Sequence, residues 1–153
     1  MFEKKIVTLD HRMDNGMSAV SIQSDGAFLL EQDGKRIRRF HSGASVRDGR
    51  KIDTRTASRV DIREEKAATP WGEGKTLTTV YEENGLTLEQ RLTLIGGKKE
   101  LIASIAIHDA RKETESNDLS VLDAVYPAAD EEELFRSLDQ RMLLAPYDND
   151  MWV

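Results

Sequence analysis

The alternation of apolar and polar residues between positions 86 and 94 constrains the fold more than any other feature of this sequence. One parity holds four leucines and a glutamine, whereas the other is entirely polar: Leu86, Leu88, Gln90, Leu92 and Leu94 against Thr87, Glu89, Arg91 and Thr93. Successive side chains of a β-strand point to opposite faces of the sheet, so a period of two indicates a strand that is buried on one face. We predict that the leucine face lies in a dry core.

Turn sequences on both sides extend this strand into a meander. Asn84-Gly85 precedes it, and this dipeptide suits a two-residue hairpin turn because both central residues need positive φ. The partner strand is then residues 75–82, and the turn at 96–99 leads into a third strand over 101–107. Within this meander the sequence predicts five buried side chains: Leu88, Leu92, Leu94, Ile105 and Ile107.

The first half of the chain repeats the same pattern of short strands and turns. The sequence predicts strands at 17–23, 27–32, 35–40 and 58–63, with an Asp33-Gly34 turn and with Val60 and Ile62 facing inward. Two segments do not fit the pattern. Residues 43–56 are polar and predict a long excursion or an irregular edge, and residues 67–74, which contain Pro70, predict a loop.

Helical patterns are nearly absent from this sequence. Residues 131–138 carry Leu134 and Leu138 four apart beside Phe135, which indicates a short helix of about two turns whose acidic first turn Asp130 can cap. With 153 residues the chain fits one domain, residues 1–153. We therefore predict a mainly β protein, an antiparallel β-sandwich of two stacked sheets with at most one short helix.

Composition excludes several classes of protein. The chain has no cysteine, which rules out disulfide frameworks, zinc ribbons and cysteine nucleophiles. It has no apolar run near the ~20 residues of a membrane-spanning helix, and its first residues lack the pattern of a signal peptide. The basic segment 35–40 lies beside a turn in a chain of net charge −6, so it predicts a solvated strand face. We expect neither a membrane nor a nucleic-acid partner.

No motif for catalysis or for cofactor binding is complete in this sequence. Residues 72–76 end like a phosphate-binding loop, but its first glycine would fall on Thr69 and a strand pattern follows where a helix is required, so Gly72 and Gly74 are interpreted as loop residues. His11, His41 and His108 lie far apart, without the spacing of metal ligands. We predict no catalytic residue, no metal site and no cofactor.

The segment 141–153 is different because it combines hydrogen-bonding side chains with aromatic ones. We name four candidate substrate-binding residues here: Asp148, Asn149, Asp150 and Trp152. Carboxylates and amides bind sugar hydroxyls, and an aromatic face can cover the C–H surface of a pyranose ring. The alternative is a loop in which the same Asx side chains bind local amides.

Three segments carry a resemblance to a known family: residues 74–81 (GKTLTTVY), 84–88 (NGLTL) and 144–152 (LAPYDNDMW). Together they resemble the N-terminal β-supersandwich of α-galactosidase-type enzymes, glycoside hydrolase family 36 and its raffinose-synthase-like relatives. The resemblance covers residues 70–153 and extends to the first half only in its rhythm of strands.

The resemblance implies a non-catalytic domain that precedes a (β/α)8 barrel, with the nucleophile and acid carboxylates on the barrel. The partners would be that downstream barrel and a terminal galactoside-type sugar, and residues 148–150 would help to line the sugar pocket. Because Met151-Trp152-Val153 is typical of a strand start, we expect the chain to be a fragment of a longer glycosidase that is inactive by itself.

Two other hypotheses stay open at this point. A stand-alone carbohydrate-binding module would bind sugar through Trp71 or Trp152, although Trp71 suits a packed core equally well. A structural or interaction sandwich would bind no sugar and would expose an apolar patch to a partner. Homo-oligomerisation also stays open, and the absence of cysteine is compatible with both cytoplasm and periplasm.

Overall fold

The computed structural model describes residues 11–110 and 115–125 of the chain. These residues form ten β-strands and no helix, arranged as two antiparallel sheets that pack face to face, so the predicted β-sandwich is confirmed. The predicted helix at 131–138 lies outside the described residues. The strands are β1 (His11–Asp14), β2 (Ser18–Ile22), β3 (Phe28–Gln32), β4 (Lys35–Val46), β5 (Lys51–Asp53), β6 (Ser58–Thr69), β7 (Gly72–Glu83), β8 (Leu86–Ile95), β9 (Leu101–Asp109) and β10 (Ser116–Ala124).

The first sheet is built from two separate parts of the chain. Strands β1 to β4 form an antiparallel meander, and β10 returns to pair with β4. Phe40 of β4 lies opposite both Phe28 of β3 and Ala124 of β10, which places β3 and β10 on the two edges of β4. Further along β4, Ala44 lies opposite Ile52 of β5. The strands β1 and β10 were missed from the sequence because one is very short and the other is interrupted by bulges.

The second sheet is the meander β6-β7-β8-β9, and its turns agree with the sequence. Asn84 and Gly85 connect β7 to β8 with φ values of 55° and 76°, the left-handed conformation that the Asn-Gly pair predicts. In the first sheet Asp33 and Gly34 connect β3 to β4 in the same way, with φ values of 51° and 74°. Two-residue turns of this kind determine which residues of the two strands lie opposite each other.

Residues 43–56 are not the excursion that their polarity predicts. Strand β4 continues to Val46, a tight turn follows, and β5 returns along it. Ala44, Val46 and Ile52 are buried in the core, and Gly43 lies against the carbonyl of Ile52. The expected excursion was wrong because the few buried apolar residues of this segment are separated by polar residues and a turn, so they form no apolar pattern in the sequence.

Residues 67–74 do not form a loop either. Strand β6 extends to Thr69 and β7 begins at Gly72, so that Pro70 and Trp71 form a two-residue turn. The Thr69 hydroxyl accepts a hydrogen bond from Trp71 N at 3.2 Å and donates one to Gly72 O at 2.7 Å. Proline suits the first central position of a turn because its fixed φ matches and no N–H is needed there. The interpretation of Gly72 and Gly74 as loop residues was wrong, since both lie in β7.

The core between the sheets consists of two apolar clusters. The first is formed by Met13, Val20, Ile22, Phe28, Phe40, Leu77, Leu92 and Leu94, and the second by Ala44, Val46, Ile52, Tyr81, Leu86 and Leu88. Strand β8 contributes to both clusters, two leucines to each. Burying these side chains is the main contribution to the stability of the sandwich.

A buried polar layer separates the two clusters. Gln90 lies between the two leucine pairs of β8, and it is opposite Thr79 of β7. Its amide nitrogen donates to Ser42 Oγ of β4 at 2.7 Å, and Ser42 Oγ donates to Val121 O of β10 at 2.7 Å. This chain of hydrogen bonds joins the two sheets through the middle of the core.

The burial predicted for individual residues is confirmed at the centre and differs at the edges. Leu88, Leu92 and Leu94 are fully buried, whereas Ile105 and Ile107 of β9 are only partly buried because β9 is the last described strand of its sheet. Ile62 packs against the core, but Val60 is 51% exposed and its predicted inward orientation is wrong. The register of β6 against β7 shifts at Val60, so a β-bulge changes its direction.

An arginine also fastens the two sheets together at one end of the sandwich. Arg50, in the turn between β4 and β5, forms ion pairs with Asp48 and with the buried carboxylate of Asp109 at the end of β9. It also donates to Asn84 O in the turn between β7 and β8 at 3.1 Å. Because the Asp109 side chain is removed from water, its carboxylate needs a positively charged partner, and Arg50 is that partner.

The position of Leu92 leads to a prediction of stability. We expect Leu92→Ala to lower the free energy of unfolding by about 2–5 kcal/mol, because the fully buried side chain would leave a cavity in the first cluster. Urea denaturation measures the change. The matched control is Val60→Thr, which keeps a β-branched residue at an exposed site and should stay within about 0.5 kcal/mol. Equal effects of the two substitutions would contradict the assignment of the core.

Candidate functional site

The four residues named as sugar ligands from the sequence lie outside the described residues: Asp148, Asn149, Asp150 and Trp152. Their part in binding therefore stays a prediction. Within the described residues, a different group of side chains surrounds a concave surface.

That concave surface is a groove of about 780 Å³ on one flank of the sandwich. It lies between β1 and the hairpin formed by β6 and β7, and we call it the hairpin groove. Its apolar floor includes Met13 and Leu94, while Lys66, Glu73 and Lys75 supply charged side chains from the hairpin. The volume is in the range of sites that take small ligands.

The alternation of β7 explains why charged residues line this groove. Leu77 points into the core, so Lys75 and Glu73, two and four residues earlier, point to the same side of the second sheet. The register places Lys66 of β6 opposite Lys75. All three charged side chains are exposed, although the same face of the sheet is buried further along β7, from Leu77 onward. Among the described strands, none of the first sheet covers this end of the hairpin.

A close contact between backbones forms one wall of the groove. Gly74 lies so near β8 that a Cβ at this position would be 2.1 Å from the carbonyl oxygen of Leu94. Any other residue would push β7 away from β8 at the groove. The requirement for glycine at this position is therefore steric.

Asn15 fixes the opposite wall, in the turn between β1 and β2. Its amide nitrogen donates to Ile95 O at 2.6 Å and to Lys98 O at 2.7 Å, while its oxygen accepts from the N–H groups of Met17 and Ser18. These bonds attach the turn of the first sheet to the turn after β8. Asn15 lines the groove, but its hydrogen-bonding capacity is used within the protein.

Asp14 in the groove, and Glu64, which binds the groove residue Lys75, are also engaged. Asp14 accepts a hydrogen bond from Gly16 N at 2.5 Å and pairs with Arg12 at 2.8 Å, and the backbone bond is the main reason that its pKa is lowered. Glu64 binds His11 Nε2 at 2.9 Å and Lys75 Nζ at 3.6 Å. Both groups hold the flank together and are therefore less available to a ligand.

Lys66 and Glu73 differ from these groups. Among the described residues, neither side chain has a hydrogen bond or ion pair within the protein, and both line the groove. Trp71 stands at the tip of the same hairpin with 60% of its surface exposed. The hairpin therefore presents an ammonium donor, a carboxylate acceptor and an aromatic face to solvent.

The sequence contained a signal for part of this set of residues. In β7 the charged residues Glu73 and Lys75 alternate with Gly72, Gly74 and Thr76, which places both charges on one face. In β6 no such alternation exists, and only the pairing of the two strands shows that Lys66 shares that face.

A second candidate is the buried histidine of β4. His41 is 4% exposed, and its Nδ1 forms a hydrogen bond of 2.9 Å with Thr54 Oγ1. Burial lowers the pKa of His41, and the charge of Arg55 lowers it further against the opposing charges of Asp25 and Asp53. The imidazole is therefore held in its neutral form.

His41 and its neighbour Ser42 do not form a catalytic pair. Adjacent residues of a strand point to opposite faces, and Ser42 points into the core, where its hydroxyl donates to Val121 O. A serine nucleophile would need the imidazole within hydrogen-bonding reach of its hydroxyl. We therefore assign the histidine a structural role.

The remaining candidates do not converge on a site. His11 binds Glu64 at the groove, and His108 lies on the outer face of β9. No three His, Cys, Asp or Glu side chains come together as metal ligands in residues 11–110 and 115–125. The same residues include no helix with the length and apolar character needed to cross a membrane.

Comparison with known proteins identifies no relative of this chain. No protein-family model, no curated protein and no solved structure matches the chain.

The lowered pKa of His41 predicts how stability depends on pH. The unfolded chain, with an ordinary histidine pKa, binds more protons than the folded chain as the pH falls below about 6.5. The contribution of the neutral imidazole to the free energy of unfolding is complete above that pH and decreases as the pH falls. We expect the unfolding free energy to decrease less in His41→Gln than in the wild type between about pH 7.5 and about pH 5.5.

Urea denaturation at the two pH values measures this difference. The control is His108→Gln, which makes the same substitution at an exposed position of β9. Identical pH dependence in the wild type and in His41→Gln would contradict the role assigned to His41.

Proposed function

We propose that this chain is a non-catalytic β-sandwich domain of an α-galactosidase-type glycoside hydrolase, and that the sandwich itself contacts sugar. Two observations support the first part. The sandwich has the fold that the resemblance implies, and residues 74–81 and 84–88, which carry part of that resemblance, lie in the central strands β7 and β8 of the second sheet and in the turn between them. The downstream barrel would supply the catalytic carboxylates.

The observation that carries the second part is the exposure of Trp71 at the tip of the hairpin whose strands line the groove. A large aromatic side chain is usually buried, because burial stabilises the fold. Trp71 is 60% exposed and therefore does not make this contribution. The two hydrogen bonds of Thr69 hold this turn in place, so the indole is presented on a defined support. Preorganised presentation of this kind lowers the entropic cost of binding.

The polar groups of the hairpin groove fit a neutral sugar. A pyranose has apolar C–H faces and hydroxyl groups that both donate and accept hydrogen bonds. Glu73 accepts and Lys66 donates, and the two charges balance, so the groove does not select for an anion or a cation. Charge-assisted hydrogen bonds to hydroxyls are stronger than those between neutral groups.

The segment with Asp148, Asn149, Asp150 and Trp152 belongs to the same proposal. These residues would line the sugar pocket from the side of the barrel, as the resemblance implies. The hairpin groove would then be an additional contact for a longer saccharide rather than the place where the bond is cleaved.

A binding experiment on the chain tests the sugar contact. Melibiose, raffinose and, for comparison, a cellulose fragment are titrated while the indole N–H signal of Trp71 is followed by NMR. We expect saturable shifts with the two α-galactosides, and about tenfold weaker binding in Trp71→Ala and in the double variant Lys66→Ala/Glu73→Ala, equal to about 1.4 kcal/mol. The wild-type chain should hydrolyse no aryl α-galactoside.

Val60→Ala is the matched control for Trp71→Ala. It removes another exposed apolar side chain of the same hairpin, about 30 Å from the tip at about 3.3 Å per strand residue, and should bind sugar as the wild type does. Absence of binding by the wild type, or normal binding by Trp71→Ala, would contradict the sugar contact. A sandwich that only supports or recruits another protein would give that result.

A further inference from the structure

The strands at the ends of the two sheets, β1 and β10 in the first and β6 and β9 in the second, differ in how well they are protected against pairing with another strand. Strand β1 has only four residues, and β6 carries a dense series of charges and a bulge at Val60. Strand β10 contains two irregularities of register against β4. Short strands, charges and bulges are the means by which proteins keep sheet edges from associating.

Strand β9 has none of these protections. It pairs with β8 in an unbroken register, and its residues 101–107 (LIASIAI) contain no charge, no proline and no glycine. No described strand pairs with its other edge. Every second residue of β9 directs its N–H and C=O groups toward that edge, because an antiparallel partner uses only alternate residues.

Strand β10 gives a second, independent observation on the same flank. Leu119 lies opposite Ala44, a residue of the core, so it belongs to the inward face of the first sheet. It is nevertheless 53% exposed, and Leu122 nearby is 49% exposed. Strand β10 contacts β9 across the sandwich. Leu119 is therefore exposed at the point where the second sheet ends, and one more strand beside β9 would cover it.

We propose that β9 pairs with β9 of a second copy of this chain, in an antiparallel contact centred on Ser104. The two four-stranded sheets would join into one continuous sheet of eight strands. The pairing places Leu101 opposite Ile107 and Ala103 opposite Ile105, all on the inward face.

The contact is self-complementary, as a two-fold axis requires. Ile102 lies opposite Ala106 on the outer face, so every pair within the seven residues is apolar except the central pair of Ser104 with itself, which is polar but uncharged. At the two ends Glu100 lies opposite His108, a carboxylate facing an imidazole. The pairing brings no like charges together. The partner's sheet would also cover Leu119, which explains why this side chain is apolar.

Sedimentation of the full chain tests this proposal. We expect the wild type to have twice the monomer mass of 17.3 kDa. Ser104→Lys should be monomeric, because pairing would set two ammonium groups opposite each other, and it should raise the dissociation constant about tenfold or more. An equimolar mixture of Ser104→Lys and Ser104→Glu should form the dimer again, a result that misfolded variants would not give.

Val60→Lys is the control, since it adds the same charge to the exposed edge of β6 and should remain dimeric. A monomeric wild type would overturn the proposal, and hydrogen exchange at the β9 amides would then show whether another segment of the same chain occupies the edge. A dimer that persists in Ser104→Lys would overturn it as well. The experiment is independent of sugar binding.

Discussion

Burial of every second side chain of β8 is the constraint on which the sandwich depends. The strand lies inside the second sheet and supplies leucines to both apolar clusters, so its inward face must meet the first sheet along its whole length. Gln90 interrupts that face and hydrogen-bonds Ser42 at 2.7 Å. Sliding one sheet over the other by a residue pair would leave this amide buried against leucine without a partner, at a cost of about 1–3 kcal/mol. The polar layer therefore specifies how the two sheets align.

The surfaces suited to binding arise where one sheet extends past the other. On the flank of β1 and β6, the hairpin of the second sheet projects beyond the first and leaves Lys66 and Glu73 exposed on what is elsewhere the core face. On the flank of β9 and β10, the first sheet projects, and Leu119 is exposed for the same reason. A sandwich of equal sheets would have buried both regions. Function in this domain is therefore expected at its flanks rather than on its outer faces.

Hydrogen bonding distinguishes structural polar groups from available ones at the groove. The side chain of Asn15 has four hydrogen bonds within the protein, and Glu64 binds two basic side chains, so both hold the strands in place. Lys66 and Glu73 line the groove without such bonds to the described residues. The difference matters because a ligand that displaces an existing contact must first compensate for its loss. Lys66 and Glu73 can bind a ligand without breaking such a contact.

The sequence by itself determined the class of fold, the hairpin turns at Asn84 and Asp33, and the buried leucines of β8. Each of these follows from local chemistry, either side-chain alternation along one strand or the left-handed φ of a turn residue. Only the tertiary structure decided the return of β10 to β4, the outward direction of Val60 at its bulge, and the meeting of β1 with the β6–β7 hairpin that forms the groove. These features join residues far apart in the chain, and pairing between distant strands leaves no periodic trace in either one.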